Sequence, residues 1–146
     1  SGTRLILARS YVDVMAPVPE PFHDLFEKRT IAHVTTMLPS DQPHAVPVWI
    51  DYDAADERLL INTERHTRKV RNVADDPRVA VSMVDPDDPY RFCSITGAVT
   101  ATTTEGAREH IDTLARRYMD EETYPEPVES ERVLLRIRAD EVFTGP

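Results

Sequence analysis

Arg65-His66-Thr67-Arg68-Lys69-Val70-Arg71 puts four of the chain's 17 Lys and Arg residues within seven positions, in a chain whose formal net charge is -9. The segment follows a β-branched run ending at Thr63 and opens a helical pattern. The first turn of a helix presents unpaired N–H groups and the positive end of the helix dipole. Cations are unfavourable there unless an anion faces them. Thr67 adds a hydroxyl, and Asn62 adds an amide at the end of the incoming run. This set suits a phosphate or a polycarboxylate. A solvated basic helix face, offsetting neighbouring acids, is the competing reading. Pro47, Val48 and Trp49 lie on a second alternating run. There the indole is either a flat wall for a ring system or a packed tryptophan in a core or a dimer contact. Tyr90 and Arg91 follow an acidic loop, placed to close over a ligand or to anchor that loop.

Other chemistries are disfavoured. His33, His66 and His110 show no paired ligand spacing, so no metal site is expected. The single cysteine, Cys93, excludes an internal disulfide and a thiolate-rich zinc site. It falls in a strand-like run with no base beside it and reads as a buried structural thiol. Gly2, Gly97, Gly106 and Gly145 are too far apart for a G-x-G-x-x-G turn or a phosphate loop. No Ser-His-Asp arrangement stands out. With 26 acidic residues the chain is a poor match for nucleic acid or an anionic membrane. No apolar run reaches the ~18 residues of a membrane span. Leu5–Ala8 is too short for a signal-peptide core. A cytoplasmic location is the expectation.

The elements that must position these residues follow from periodicity. The length, 146 residues, is that of one domain. Residues 1–19 read as a proline-rich arm or extension, with Met15 a candidate natural start, and 20–146 as the folded unit. Phe22, Leu25 and Phe26 share a face of a short helix over 22–29. Residues 31–38, 44–52 and 58–63 alternate as an antiparallel meander; Pro47 places the second strand at an edge or a bulge. A helix is expected over 66–75, a strand over 79–84, and an acidic loop over 85–89. A long strand over 92–102 carries Gly97 as a bulge or close-approach point. A helix capped by Thr103 or Thr104 buries Ile111, Leu114 and Tyr118. An acidic loop over 120–131 leads into a last strand over 132–139. Six short antiparallel strands with two or three helices predict a mainly β (α+β) small barrel with helices outside.

The segment INTERHTRKVRNVADDPRVAVSMVD, residues 61–85, resembles the flavin-phosphate segment of the pyridoxamine 5′-phosphate oxidase-like superfamily. DPDDPYRFCSITGAVTAT (85–102), EHIDTLARRYMDEETYP (109–125) and ERVLLRIRADEVFTG (131–145) are similar to members that use the deazaflavin coenzyme F420. TTMLPSDQPHAVPVWIDYD (35–53) fits the same pattern. The resemblance spans about residues 20–145, and its specificity lies in the order of the segments. It implies a six-stranded antiparallel split β-barrel of the FMN-binding-protein kind, acting as a homodimer with two cofactor sites at the interface. It implies that Thr63, Thr67, Arg68, Lys69 and Asn72 hold the cofactor phosphate, with Pro47-Val48-Trp49 passing along the ring by backbone contacts. Tyr90 and Arg91, or the Tyr118 region, are implied to reach the site from the other subunit. The short C-terminus lacks the substrate residues of the amine-oxidase members. The implied activity is hydride transfer between F420 and a small organic electrophile. The alternatives are an FMN enzyme of the same fold or a non-catalytic deazaflavin or phosphate-ligand binder. Arg65 and Arg71 would suit the carboxylates of an F420 γ-glutamyl tail.

Overall fold

The structure is a computed structural model that describes residues 17–146. The readings made for residues 1–14 and for Met15 lie outside the described residues. Among the described residues seven strands form one antiparallel sheet: β1 (Ile31–Met37), β2 (Pro43–Trp49), β3 (Asp51–Asp53), β4 (Arg58–Glu64), β5 (Arg78–Asp85), β6 (Asp88–Thr103) and β7 (Arg132–Thr144). Their order is β2-β1-β5-β6-β7-β4-β3. The two ends of the sheet, β2 and β3, are separated in the chain by Ile50 alone, which is fully buried. The sheet therefore curls until its ends meet. This accounts for seven strands where the alternation of residues 44–52 predicts one continuous strand and six in all. The chain leaves β1 at Trp49 and joins β4 at Asp51. Pro47 sits in β2, at an end of the sheet, where a missing N–H is tolerated.

Strand alternation fills the interior. Val34, Leu59, Ile61, Val81, Ile95, Leu135 and Ile137 are essentially inaccessible. Leu59, Leu60 and Ile61 are consecutive and all buried, so β4 is covered on both faces. Leu60 forms a separate outer cluster with Leu134 and Ala107. That cluster seats α2 (Ala107–Met119) on the outside of the barrel, and α1 (Arg68–Asp75) follows β4.

Several boundaries differ from expectation. The first helical segment is a 3-10 turn, Glu20–Phe26, entered through Pro21 and burying Leu25 and Phe26. The acidic loop is a tight hairpin, with β6 starting at Asp88. Neither Thr103 nor Thr104 caps α2; Gly106 occupies that position with φ 75, a conformation glycine adopts without penalty. Strand β7 runs five residues beyond the expected end, opposite β6. The reading of Gly97 holds: the β6–β7 register shifts there, and a Cβ would run into the Arg138 carbonyl.

The hairpin is tied to the 3-10 turn by charge. Arg91 donates to Asp24 at 2.7 and 3.0 Å, to Asp85 at 2.7 Å and to the Pro21 carbonyl at 2.6 Å. Lys28 donates to Asp85 at 2.9 Å. The Asp87 backbone N–H, then Lys28 and Arg91, hold the Asp85 carboxyl down at about 2. Its unfolded value is about 3.9. The depressed value gives stability that is present above about pH 4 and lost as pH falls through about 2. Thermal melts against pH should therefore show a shallower acid-side decline in Asp85→Asn than in the parent. Equal slopes would remove Asp85 from the acid response.

Candidate functional site

A cleft of about 240 Å³ opens between β2, β4, α1, α2 and the start of β7, lined among others by Pro47, Trp49, Asn62, Lys69, Tyr124 and Arg132. Val48 and Ile111 complete the lining. Five residues expected from sequence thus meet in one place: Pro47, Val48, Trp49, Asn62 and Lys69.

The indole of Trp49 is fixed from within the chain. It stacks on Tyr118 with centroids 4.8 Å apart and planes 4° from parallel, and Tyr124 meets it edge-on at 6.2 Å. Tyr118 is held in turn by donating to the Thr30 carbonyl at 2.6 Å. The ring is half-buried, neither a core tryptophan nor a free one.

Asn62 is placed by the pleat. It is two residues beyond Leu60 and so faces outward toward α2. Its amide donates to the Ala107 carbonyl at 2.8 Å and to His110 Nδ1 at 3.1 Å. Its oxygen accepts from Arg132 Nε at 2.9 Å. These partners fix the amide orientation and assign His110 the Nε2–H tautomer, which donates to Asp51 at 2.9 Å. Burial alone would raise Asp51; the His110 bond and the Arg117 charge outweigh it and hold the carboxyl below its usual range. With both ring nitrogens engaged, His110 supports the site and is not a free base.

Thr63 faces the opposite way from Asn62 and is buried. Its hydroxyl lies 3.2 Å from that of Thr67, which donates to the Glu64 carbonyl at 2.9 Å. Thr67 is the N-cap residue of α1 without a side-chain capping bond. Asn72 is buried, donating to Thr36 at 3.0 Å and leaving its carbonyl oxygen without a partner among the described residues. Arg68 is exposed. Tyr90 is 79% exposed, and Arg91 is engaged in the hairpin cluster; neither lines the cleft of its own chain.

The electrostatics are unusual for a helix start. Helix α1 has no acidic residue in its first turn and no basic one in its last. Among the described residues, Arg68, Lys69 and Arg71 have no carboxylate partner, whereas Arg65 pairs with Glu131 at 2.9 Å. Burial, then the nearby Arg132 charge, pushes Lys69 below the usual lysine value. Arg132 is also lowered by burial. Two poorly compensated cations thus border one small cleft, an arrangement that favours a bound anion.

Sequence reasoning did not find Arg132, Tyr124, Ile111 or His110. Arg132 stands directly across from Glu64 and diagonally from Asn62 in the β4–β7 register. That register joins residues about 70 apart, and the hydrophobic pattern does not disclose it. Cys93 is as expected: fully buried, with its thiol raised by burial to about 12.

The curled antiparallel sheet thus carries on its flank one small cleft bordered by two cations and a tryptophan. Residues 18–144 match the family model for pyridoxamine 5′-phosphate oxidase, and the chain belongs to that family. Among solved structures it is similar to an F420 reductase, at 28% identity and TM-score 0.75, over 86% of this chain and 98% of the other. It shares the fold of a conserved hypothetical protein from Mycobacterium tuberculosis, at 20% identity and TM-score 0.67, over 90% and 86% of the two chains. General Stress Protein 26 of Bacillus anthracis matches at 16% identity and TM-score 0.64, over 86% and 92%. No curated protein matches the chain. Among the described residues no helix is long and apolar enough to cross a membrane.

Proposed function

We propose that the chain is an F420-dependent reductase whose cofactor is held in the Trp49–Lys69 cleft. The observation that carries this reading is Lys69: a half-buried ammonium beside the one tryptophan, with no counter-ion among the described residues. The residues fit the group. Lys69 and the α1 start would hold the phosphate, and Pro47-Val48-Trp49 would border the ring. A cleft of about 240 Å³ would take one end of such a molecule. The chemistry such a group would supply when bound in its reduced form is a hydride for an electrophilic acceptor, with a proton completing the two-electron reduction. The protein's part is to bind, to orient and to exclude water. A homodimer would bring Tyr90 of a second copy toward the open side.

Arg68 and Arg71, exposed and without carboxylate partners, favour F420 over FMN, because only F420 adds tail carboxylates to its phosphate. The likeness to an F420 reductase points the same way. FMN is the second reading, favoured by the pyridoxamine 5′-phosphate oxidase family match. The test is anaerobic oxidation of reduced F420 with a panel of unsaturated ketones and quinones. Acceptor-dependent oxidation that Lys69→Met slows at limiting F420, through a raised KM for the cofactor, is the expected result. Turnover with reduced FMN and none with F420 would move the protein to the flavin branch.

The Arg65–Glu131 pair gives a finer test. Both side chains are about half exposed, so the pair is worth under about 1 kcal/mol. Glu131→Gln frees Arg65 for a tail carboxylate. F420 affinity should rise about twofold to fivefold while FMN affinity stays unchanged. An equal rise for both ligands would show that the tail does not reach Arg65.

A further inference from the structure

We propose that Arg132 is a second ligand-binding cation, facing Lys69 across the cleft, so that the two side chains clamp one phosphate group between them. This rests on the reading of the cleft as a phosphorylated-cofactor site, and it adds a residue and a geometry to that reading.

The side chain of Arg132 is only 9% exposed, yet it lines the cleft. An arginine buried to that degree is normally paired with a carboxylate in a forked, bidentate contact. Here the contact is incomplete. Nε is spent on the Asn62 oxygen at 2.9 Å. Nη1 lies 3.6 Å from Glu64 Oε2, too long for a good hydrogen bond. Glu64 meanwhile gives its other oxygen to Ser130, accepting from the backbone N–H at 2.6 Å and from the hydroxyl at 3.2 Å. Tyr124 adds a side-chain hydrogen bond to the guanidinium, which still leaves part of its five N–H donors without a partner among the described residues. The guanidinium plane also rests over the Tyr124 ring, 5.2 Å from its centroid. It is therefore fixed in position while keeping unused donors.

Support for that position extends outward. Asn62 holds Nε, His110 accepts from Asn62, and Asp51 accepts from His110. Both Asn62 amide hydrogens are consumed, so Asn62 acts on a ligand through Arg132 and is a positioning residue. The same holds for His110. The pattern matches preorganised recognition, in which the cation is aimed before the anion arrives. On the other wall, Lys69 has neither hydrogen bond nor ion pair among the described residues. A planar fork and a point charge on facing walls suit a phosphate group, whether the diester of F420 or the monoester of FMN, since each leaves at least two free oxygens.

The test uses two ligand pairs that differ in the phosphate. One is FMN and riboflavin. The other is F420 and its deazariboflavin core, which lacks the phosphate and the tail. Each is titrated into the parent chain, Arg132→Gln and Arg132→Lys, with Trp49 emission as the readout and a melt to verify folding. The parent should prefer the phosphorylated member of at least one pair. Arg132→Gln should reduce that preference by about tenfold or more. Arg132→Lys, which keeps the charge beside Glu64 but loses the fork, should fall between. Binding of the phosphate-free members should not change, which a merely structural role for Arg132 would not predict. A preference that survives intact in both variants overturns the clamp, as does a parent with no preference in either pair. If F420 fails to bind while FMN shows an Arg132-dependent preference, the clamp stands and the deazaflavin reading falls.

Discussion

Lys69→Met should weaken binding of a phosphorylated cofactor by about tenfold to a hundredfold while making the ligand-free protein slightly more stable. The two effects have one cause. Lys69 is half-buried beside Arg132, and burial followed by that neighbouring charge pushes its amine below the ordinary value. A folded-state value below the unfolded 10.4 means that the charged form is disfavoured by folding. Methionine keeps the length of the stem and removes the charge. The melting temperature of the ligand-free chain should rise by about 2 °C, the scale of a sub-kcal/mol change in a domain of this size. The loss of affinity corresponds to one charge-assisted bond to phosphate. The pH dependence separates the two roles by sign. Between Lys69's depressed value and about 10.4 the unfolded chain binds more protons, so this group makes stability rise with pH. Over the same range the cleft loses its ammonium, so affinity for a phosphate falls. Calorimetric titrations across the alkaline range measure the second trend and melts measure the first. A Lys69→Met chain that is less stable and binds as tightly as the parent would show the lysine to be structural.

Gly97→Val should be the most destabilising single change in the barrel, by about 3 kcal/mol or more, with loss of folding at moderate temperature. An added Cβ meets the Arg138 carbonyl oxygen and carbon, which are backbone atoms of the paired strand and have no rotamer by which to retreat. The β6–β7 register shifts between Thr96 and Gly97 and again between Val99 and Ala101, so the pairing is irregular on either side of this contact. Relieving the contact means separating two central strands or sliding them out of register, and overpacking on that scale costs about 1–3 kcal/mol even where side chains can adjust. Strand β7 also carries Arg132 alongside Asn62 of β4, so the cleft should loosen with it. Chemical denaturation of Gly97→Ala and Gly97→Val checks the effect, and Ala should already be well below the parent. Parent-like stability in Gly97→Ala would mean that β7 can move away freely.

Much of this architecture was legible in the sequence because it is local. The alternation of residues 31–38 and 132–139, the turn chemistry at 39–43, and Gly97 each report a neighbourhood of a few residues. The break at Ile50 was not legible. Val46, Val48 and Ile50 alternate without interruption, and only closure of the sheet distinguishes one strand from two. The basic segment was legible as chemistry, since four cations before and within one short helix conflict with its dipole whatever the fold. Its division of labour was not. Asn62 and Thr63 are adjacent and were expected to serve one ligand, yet successive strand residues point to opposite faces, and only Asn62 reaches the cleft. Arg91 looked like a ligand residue for the same reason that it makes ion pairs, a cation beside acids. Asp85 is only six residues away, but the second acid, Asp24, belongs to a 3-10 turn 67 residues away. Arg132 was beyond reach because its role is set by the β4–β7 register.

The central claim is that the Trp49–Lys69 cleft holds a phosphorylated deazaflavin. Trp49 is the one tryptophan and lines that cleft, so its emission reports on this site directly. Titration of the purified protein with F420 and, separately, with FMN measures the claim. Saturable quenching by F420 at micromolar concentration, much weaker with FMN and reduced in Lys69→Met, is the predicted result. Quenching by FMN alone, or by neither ligand, would contradict it.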